Sequence, residues 1–346
     1  MTQETTGQAT EAYRGKRVLI TGGLGFLGSN LAGRLVALEA SVRIIDALIP
    51  GMGGNLCNID GLQGRVEVAV ADLRDPEALV RALDGVDVIF NLAGQVSHID
   101  SMRHPLDDLG INVESQLRLL EACRARTPEA RIVFTSTRHL YGRPERVPVD
   151  EAHPILPPDV NGIHKAAAES YHQLYHRVFG LPICVLRVTN AYGPRQLIQH
   201  DRHGFIGWFI RLALEDREIT VFGDGSQVRD FVYVDDVVEA MLQAGLSERC
   251  LGGTYNVGGS QPIAHRDLVA LLIELAGSGR VRFVDWPADR KAIDIGSVYL
   301  DSTRLRQAIG WEPRTPLREG LARTLDFYRT RMACYTAPAP SRWEVA

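Results

Sequence analysis

A glycine-rich stretch, Thr-Gly-Gly-Leu-Gly-Phe-Leu-Gly at 21–28, directly follows the apolar run Val-Leu-Ile at 18–20. This order predicts a buried strand, then a tight turn, then a helix. Gly22 permits the turn, Gly25 lets backbone N–H groups approach a pyrophosphate, and Gly28 lets the helix pack closely on the strand. Such a unit is typical of a dinucleotide-binding fold.

The segment that follows supports this interpretation. After a predicted helix over 29–40, a second strand at 41–45 ends in Asp46, about 20 residues past the turn. A carboxylate in this place hydrogen-bonds both ribose hydroxyls of NAD and repels the 2′-phosphate of NADP. For the glycines alone, a turn without a nucleotide is the alternative. Strand, turn, helix and acid together predict that the protein binds NAD.

The length and composition limit the class of protein. The 346 residues suffice for one large α/β domain and a smaller companion, and the net charge of −4 gives no reason to expect a nucleic acid or an anionic membrane as partner. Residues 1–10 lack the apolar core of a signal peptide, and no run approaches the roughly 20 apolar residues that span a bilayer. The five cysteines are scattered without a Cys-x-x-Cys pair, which argues against structural zinc and a disulfide framework. We expect a cytoplasmic protein without a metal.

Strand-like and helix-like segments alternate through the first half of the chain. Beyond residue 46, strands are predicted at 66–70, 86–91, 130–135 and 182–188, and helices at 76–83, 105–126 and 161–179. Strands separated by helices predict an α/β fold, a doubly wound parallel sheet (Rossmann) that binds ligands at the carboxyl ends of its strands. The predicted NAD-binding domain covers 15–188.

The pattern changes after residue 188. Short strands mix with helices and with turns rich in glycine and proline, which predicts a smaller α+β substrate-binding lobe over 189–332. Part of 230–240 is expected to return to the main domain, with 232–238 joining the main sheet. The ends of the chain are predicted to be a disordered leader over 1–14 and a mobile tail over 333–346.

Small and polar residues follow the predicted strands where a dinucleotide would lie. Asp72 and Leu73 follow the third strand and are placed to contact the adenine, whereas Ala93 and Gly94 follow the fourth strand and leave room for the dinucleotide. For each residue alone a structural turn is an equal explanation. Together they predict one groove, with cofactor contacts at Gly22, Gly25, Phe26, Leu27, Gly28, Asp46, Asp72, Leu73, Ala93 and Gly94.

Four motifs carry a resemblance to a known family. They are the glycine stretch at 21–28, Leu-Arg-Val-Thr-Asn-Ala-Tyr-Gly-Pro-Arg at 186–195, Gly-Asp-Gly-Ser-Gln-Val-Arg-Asp-Phe at 223–231, and Tyr-Asn-Val-Gly-Gly at 255–259. With these motifs the chain resembles the extended short-chain dehydrogenases/reductases that act on nucleotide-sugars, the NAD-dependent epimerase/dehydratase family. Within it, the segments at 92–96, 207–209 and 225–230 are most similar to the CDP-tyvelose (paratose) 2-epimerase branch.

The resemblance implies the activity and the partners. It predicts an NAD-dependent epimerase of a nucleotide-diphosphate sugar, which oxidises one sugar carbon to a ketone and returns the hydride to the other face. It also implies a homodimer, because the helices at 105–126 and 161–179 resemble those that form a four-helix contact between subunits in relatives. A dehydrogenase or reductase that exchanges free cofactor remains an alternative.

The resemblance also assigns catalytic residues. Thr137, four residues before Tyr141, matches the hydroxyl that hydrogen-bonds the sugar oxygen being oxidised. Lys165 matches the lysine of a Tyr-x-x-x-Lys motif, which binds the nicotinamide ribose and lowers the pKa of the tyrosine. That tyrosine falls at Asn161, and none of the ten tyrosines has a lysine four residues later. An amide does not exchange a proton near pH 7, so Asn161 can only orient the sugar oxygen.

Three interpretations follow from this replacement. In the first, His164 or His139 carries the proton, because histidine titrates near neutral pH. In the second, Thr137 and Lys165 suffice for a slow or specialised redox step. In the third, the fold binds NAD or a nucleotide-sugar without turnover, because function follows the site and not the fold.

Residues on the substrate side match family positions as well. Asn190 matches a contact to the phosphates and Arg229 an arginine that pairs with the pyrophosphate, a task that suits a guanidinium. The predicted substrate-binding residues are Gln95, Ser97, Asn190, Arg195, Arg229 and Arg290. The 4,6-dehydratases of the family need an Asp-Glu pair after the active-site threonine. Arg138 and His139 stand there, which counts against that reaction.

Overall fold

Thirteen strands and twelve α-helices make up the part of the chain, residues 12–336, that the computed structural model describes. In chain order they are β1 (Arg17–Thr21), α1 (Phe26–Ala37), β2 (Ser41–Asp46), β3 (Val66–Val70), α2 (Pro76–Ala82), β4 (Val88–Asn91), α3 (His98–Arg103), α4 (Pro105–Leu109), α5 (Ser115–Arg126), β5 (Arg131–Thr137), α6 (Val160–Phe179), β6 (Ile183–Val188), β7 (Asn190–Tyr192), α7 (Phe205–Leu214), β8 (Glu218–Phe222), β9 (Val228–Arg229), β10 (Phe231–Tyr233), α8 (Val234–Leu246), β11 (Thr254–Val257), β12 (Ile263–Ala264), α9 (His265–Ala276), β13 (Arg280–Val284), α10 (Ala288–Ala292), α11 (Thr303–Ile309) and α12 (Leu317–Thr336).

Seven of the strands form one parallel sheet in the order β11-β6-β5-β4-β1-β2-β3. The side chains of β1 alternate between its two faces, so that Val18 and Ile20 belong to one buried apolar cluster and Leu19 to another. A sheet buried on both faces explains why the strands are almost continuously apolar. The predicted doubly wound α/β fold is confirmed.

The predicted helix over 105–126 is interrupted. The structure has α4, then a π-helical turn over Gly110–Glu114, then α5. Within the turn, Asn112 is fully buried and holds the loop after β4: its Oδ1 accepts from the backbone N–H of Gln95, and its Nδ2 donates to the carbonyl of Gln95, both at 3.1 Å. A π-turn of this kind often lies at a functional site.

The second half of the chain returns to the main sheet at a different place from the one predicted. β10, within the predicted segment, pairs with β7 outside the main sheet, and the strand that joins the main sheet is β11, beside β6. The helix α8 packs on the sheet instead, with Val237 and Met241 in the same apolar cluster as Val18. That cluster runs through both halves, so the domain boundary at 188 stays a prediction.

The predictions for the two ends are wrong where the structure describes them. Tyr13 is fully buried and its hydroxyl donates to the carbonyl of Leu242 at 2.9 Å. At the other end α12 continues to Thr336, and the buried Tyr335 donates to Oδ1 of Asn58 at 2.7 Å. The remainder of the predicted leader, 1–11, and of the tail, 337–346, lies outside the described residues.

A disulfide joins Cys57 to Cys334, which corrects the expectation drawn from the scattered cysteines. The two residues lie 277 positions apart, so no local spacing could indicate the pair; α12 brings Cys334 back to the loop that follows β2. Cys123, Cys184 and Cys250 are free and buried. Between residues 12 and 336, no helix combines the length and the apolar character needed to cross a membrane.

Candidate active site

A cavity of about 640 Å³ lies at the carboxyl ends of the main sheet. Residues that follow β1, β2, β3, β4 and β5 line one part of it, and segments from the second half of the chain, including 201–206 and 293–295, line the other. A crevice at the carboxyl ends of the strands is where doubly wound sheets bind ligands. All eleven predicted cofactor contacts, Lys165 included, line this cavity.

The glycine turn leaves no room for a side chain at Gly22 or Gly28. Gly22 has a φ of +69°, and a Cβ on Gly28 would lie 2.4 Å from the carbonyl oxygen of Gly22. The helix begins at Phe26, earlier than predicted, and Gly25 at its N-cap has no side chain to satisfy the first N–H groups. These groups are free to bind an anion, so the turn fits the pyrophosphate of NAD.

Asp46 is held at the end of β2. Its Oδ2 accepts from the backbone N–H of Leu24 at 3.0 Å and its Oδ1 from that of Leu48 at 2.9 Å. Burial raises the pKa of this carboxyl, and the two backbone hydrogen bonds oppose the rise. The carboxylate is therefore fixed beside the glycine turn, in the place that suits the ribose hydroxyls of NAD.

We expect Gly28→Ala to weaken NAD binding by about 10- to 100-fold. The added methyl group meets the backbone of Gly22 and Gly23, and relieving an overpacked contact typically costs about 1–3 kcal/mol. Gly33→Ala is the matched control on the same helix, because its Cβ would meet only the side chain of Arg195, at 3.6 Å. Calorimetric titration with NAD⁺ compares the two variants. Equal affinities would show that Gly28 is dispensable.

The cavity wall includes the three residues that correspond to the catalytic positions of the family: Thr137, Asn161 and Lys165. Thr137 ends β5, and α6 carries the other two residues one turn apart. Lys165 is buried, and burial lowers the pKa of its ammonium to about 8 although Asp108 opposes the change. A Cβ on Gly94 would lie 2.4 Å from Nζ of Lys165, so the Ala-Gly turn leaves the space that this lysine occupies.

The amide of Asn161 is bound to the protein. Its Nδ2 lies within hydrogen-bond distance of the carbonyl and Oε1 of Gln95, at 2.9 and 3.1 Å, and of Oδ2 of Asp108, at 3.1 Å. No described residue that lines the cavity is a tyrosine. Position 161 therefore offers no phenol to the cavity, and Asn161 links α6 to Gln95 after β4 and to Asp108 on α4.

The two histidines predicted as proton carriers differ in place. His164 is absent from the cavity wall, and its Nδ1 lies 2.6 Å from Oδ1 of the buried Asp108. His139 lines the cavity, but its Nε2 lies 2.7 Å from Oδ2 of Asp159, and burial is the main cause that lowers its pKa to about 3. The geometry gives His164 the task of holding Asp108.

Sequence reasoning missed His98, the first residue of α3. It lines the cavity, and its Nδ1 lies 2.9 Å from Oδ2 of Asp159. Ser97 was predicted at this place, but it is fully buried and its Oγ caps α3 by accepting from the N–H of Asp100 at 3.1 Å. A serine directly before a short helix is commonly its N-cap. Recognising Ser97 as a cap would have pointed to His98 as the residue of this segment that faces the ligand.

Four of the six predicted substrate-binding residues, Gln95, Asn190, Arg229 and Arg290, line the cavity. Arg195 does not; its Nη1 donates to the carbonyl of Ser29 on α1 at 3.1 Å. Burial lowers the pKa of Arg229 to about 9, and the neighbouring Arg138 adds to the effect.

Arg138 is a second residue that sequence reasoning did not assign to the substrate. Its Nη2 donates to Oδ1 of Asn190 at 2.8 Å, while its buried Nε and Nη1 have no partner among residues 12–336. His265, also on the cavity wall, has a buried Nε2 without a partner. Buried donors without partners are rare, so these groups indicate a ligand rich in acceptors.

Comparisons with known proteins point in the same direction. Residues 18–258 match the NAD dependent epimerase/dehydratase family. A UDP-glucose 4-epimerase of Mycolicibacterium smegmatis is 34% identical over 318 residues, 91% of this chain and 99% of that protein. A CDP-paratose 2-epimerase of Salmonella typhi is 30% identical over 338 residues, 90% of this chain and 98% of that protein. The solved UDP-glucose 4-epimerase of Thermus thermophilus in complex with NAD has a TM-score of 0.80 and 34% identity, covering 90% of this chain and 99% of that one.

Proposed function

Because the chain belongs to the NAD-dependent epimerase/dehydratase family, we propose that it is an epimerase of a nucleotide-diphosphate sugar that acts through a transient keto-sugar. The observation that carries the proposal is one cavity lined by the glycine turn, by Thr137 and Lys165, and by Arg138, whose buried Nε and Nη1 have no partner among the described residues. The relatives named above, two of them 4-epimerases and one a 2-epimerase, support this reaction class.

In the proposed reaction, the glycine turn, Asp46, Lys165 and Thr137 have different tasks. The backbone of the glycine turn binds the pyrophosphate of the cofactor, and Asp46 and Lys165 bind its riboses. Bound NAD⁺ supplies a hydride acceptor that also returns the hydride, so no net oxidation occurs. Thr137 hydrogen-bonds the sugar oxygen, and the positive charge of Lys165 favours loss of the proton from it.

The substrate diphosphate has its own partners in the proposal. Arg138 and Arg229 line the cavity together, and neither forms an ion pair with a described carboxylate. A diphosphate supplies further negative charge beside these two buried guanidinium groups, and its oxygens accept hydrogen bonds from Nε and Nη1 of Arg138, for which no described residue is a partner. Asn190, oriented by Arg138, provides a further amide beside them.

The alternative functions differ from an epimerase in the groups or in the cofactor exchange that they require. A dehydratase needs acidic groups that protonate and deprotonate the sugar, but Arg138 and His139 follow Thr137 and burial keeps His139 neutral. A module that only binds NAD or a nucleotide-sugar would need the same cradle but no proton acceptor. A dehydrogenase or reductase would release its cofactor after each turnover.

The test begins with the protein as purified. Released nucleotides are identified by mass spectrometry after denaturation, and the protein is then incubated with UDP-, GDP-, CDP- and dTDP-sugars in deuterated water while products are followed by NMR. We expect stoichiometric NAD and an epimer without solvent deuterium. Deuterium at carbon would indicate an enolisation route instead, and unchanged sugars across the panel would favour the binding module.

We also propose a homodimer formed through the helical segments at 105–126 (α4 to α5) and 161–179 (α6), as the resemblance implies. Both segments expose apolar side chains: Leu106 is 80% exposed, Ile163 54% and Val178 57%. We expect Leu106→Glu combined with Ile163→Glu to convert the dimer to a monomer, because each carboxylate would be buried unpaired in the contact. Light scattering after size-exclusion chromatography measures the mass. Val70→Glu, at a site on β3 that is 61% exposed, is the matched control and should leave the mass unchanged.

A further inference from the structure

The sugar end of the cavity holds no phenol, so the proton of the sugar hydroxyl needs another acceptor. Within residues 12–336, the histidines and lysines that line the cavity are His98, His139, Lys165, His203 and His265. Burial, the main cause in each case, lowers the pKa values of His139, His203 and His265 to about 3. Imidazoles that stay neutral down to this range accept a proton poorly at pH 7.

His98 differs from the other three in its exposure, and it contacts a buried carboxylate. Its side chain is 37% exposed, whereas the carboxylate of Asp159 beside it is fully buried. Nδ1 of His98 lies 2.9 Å from Oδ2 of Asp159, at an angle short of an ideal hydrogen bond. Such contacts commonly tighten when the substrate binds. Because Nδ1 faces the buried carboxylate, Nε2 is the nitrogen that remains for the cavity.

Asp159 is a well-anchored carboxylate. Its Oδ1 caps α6 by accepting from the N–H of Gly162 at 2.8 Å, so the negative charge lies at a helix N-terminus. Burial raises the pKa of Asp159, but the contacts with His139 and His98 outweigh burial and hold it well below its usual range. A carboxylate that stays ionised stabilises an imidazolium beside it, as in other carboxylate–histidine pairs.

His139 fixes this arrangement from the other side. Its ring lies against that of His98, with centroids 3.6 Å apart, and its Nε2 shares Oδ2 of Asp159. A Cβ on Gly162 would lie 3.5 Å from the ring of His139, so the cluster adjoins the first turn of α6, which carries Asn161. The pair of rings therefore lies next to position 161, which the resemblance assigns to a tyrosine.

We infer that His98 is the proton acceptor and donor of this site, positioned by Asp159; the inference rests on the proposed epimerase function. In the first half of the reaction the O–H and C–H bonds of the carbinol break and a C=O bond forms. The proton passes to Nε2 of His98, and bound NAD⁺ would supply the acceptor for the hydride. In the second half, once the keto-sugar has turned its other face to the cofactor, the hydride would return to the same carbon, and His98 gives its proton back to the oxygen.

Several charged or titratable groups lie on the elements packed around His98. On the elements around it they are Asp100 on α3, His139 after β5, Asp159 before α6, and Arg202 and His203 in the segment at 201–203. Asp100 is paired with Arg202, at 3.6 Å, and His203 is held neutral. Among the described residues, the charge in direct contact with the ring is that of Asp159, which lies where it would stabilise an imidazolium formed in the reaction.

The test compares His98→Gln with wild type on a nucleotide-sugar that wild type converts. We expect turnover to fall by about 10²- to 10⁴-fold while NAD content and the calorimetric Kd for the nucleotide-sugar stay within about 3-fold. Added imidazole should partly restore His98→Ala, which a purely structural loss would not allow. His176→Gln is the matched control, because His176 lies at the far end of α6, with Nδ1 2.7 Å from the carbonyl of Leu181.

A second measurement does not depend on turnover. The resonance of the Cε1 proton of His98, identified by its loss in His98→Gln, is followed against pH in wild type and in Asp159→Asn. We expect the resonance to move in Asp159→Asn, because the carboxylate beside Nδ1 is gone, and to shift in wild type when the nucleotide-sugar binds. A resonance unaffected by both changes would overturn the inference.

The outcomes separate the two proposals. If wild type converts none of the sugars, the epimerase function fails, and this inference fails with it. If wild type is active but His98→Gln keeps its turnover within about 3-fold, only the assignment of His98 fails. Stoichiometric Zn²⁺ binding by wild type that is lost in His98→Gln would also overturn it, in favour of a metal site at His98, His139 and Asp159.

Discussion

Lys165→Ala is expected to lower turnover of the nucleotide-sugar by about 10²- to 10⁴-fold. The ammonium is buried on the cavity wall beside Gly94, where it provides the positive charge that favours deprotonation of the sugar hydroxyl. Burial lowers its pKa from 10.5 to about 8. The charged form is therefore present below pH 8 and lost above it, and we expect the wild-type rate to fall on the alkaline side around that value.

The measurement is the rate of epimer formation by NMR as a function of pH, with NAD content checked in every variant. Lys16→Ala is the matched control, because Lys16 precedes β1 and does not line the cavity. A Lys165→Ala variant that retains both NAD and the wild-type rate would disprove the placement of the active site.

Glu169→Gln is expected to lower the free energy of unfolding by about 3–5 kcal/mol. Glu169 on α6 and Arg187 on β6 form an ion pair whose side chains are 2% and 4% exposed. Nη1 of Arg187 also donates to the hydroxyl of Tyr141 at 2.7 Å, which in turn donates to Oδ1 of Asn256 at 2.7 Å. Removing the carboxylate leaves a buried guanidinium without its counter-charge, and this network lies directly behind Thr137 and Lys165.

Urea denaturation measures this loss. The exposed pair between Glu319 and Arg323 supplies the control: Glu319→Gln should change the free energy of unfolding by no more than about 1 kcal/mol, because water screens the charges. Replacing both buried partners by apolar residues should recover part of the loss, since neither charge is then left alone. Equal effects of Glu169→Gln and Glu319→Gln would contradict the argument.

The parts of the fold that could be predicted from sequence are those with local signals. A continuous apolar run marks the strand at 18–20, because a sheet covered by helices buries both faces of its central strands, and a mostly apolar run marks the partly exposed edge strand at 66–70. The glycine turn and Asp46 follow one strand each and were found from their spacing. Thr137 and Lys165 were assigned by the resemblance, and both line the cavity.

The parts that could not be predicted depend on contacts between distant segments. His98 and Asp159 lie 61 positions apart, and only the packing of α3 against the start of α6 brings them together. The disulfide between Cys57 and Cys334 and the return of β11 to the sheet are of the same kind. Ser97 and Arg195 were expected to contact the substrate, but Ser97 caps α3 and Arg195 donates a hydrogen bond to α1. The periodicity of the sequence does not show which partner such a side chain takes.

The hydrogen bonds of Asn161 constrain how this site could change by mutation. A tyrosine placed there would take the amide away from Gln95 and from Oδ2 of the buried Asp108, whose Oδ1 would still contact His164. Losing one partner of a buried polar group costs about 1–3 kcal/mol, so a single change to tyrosine would lower the free energy of unfolding before it added a phenol. A substitution of Asn161 therefore has to be matched by one at Asp108, so that no buried carboxylate loses a hydrogen bond.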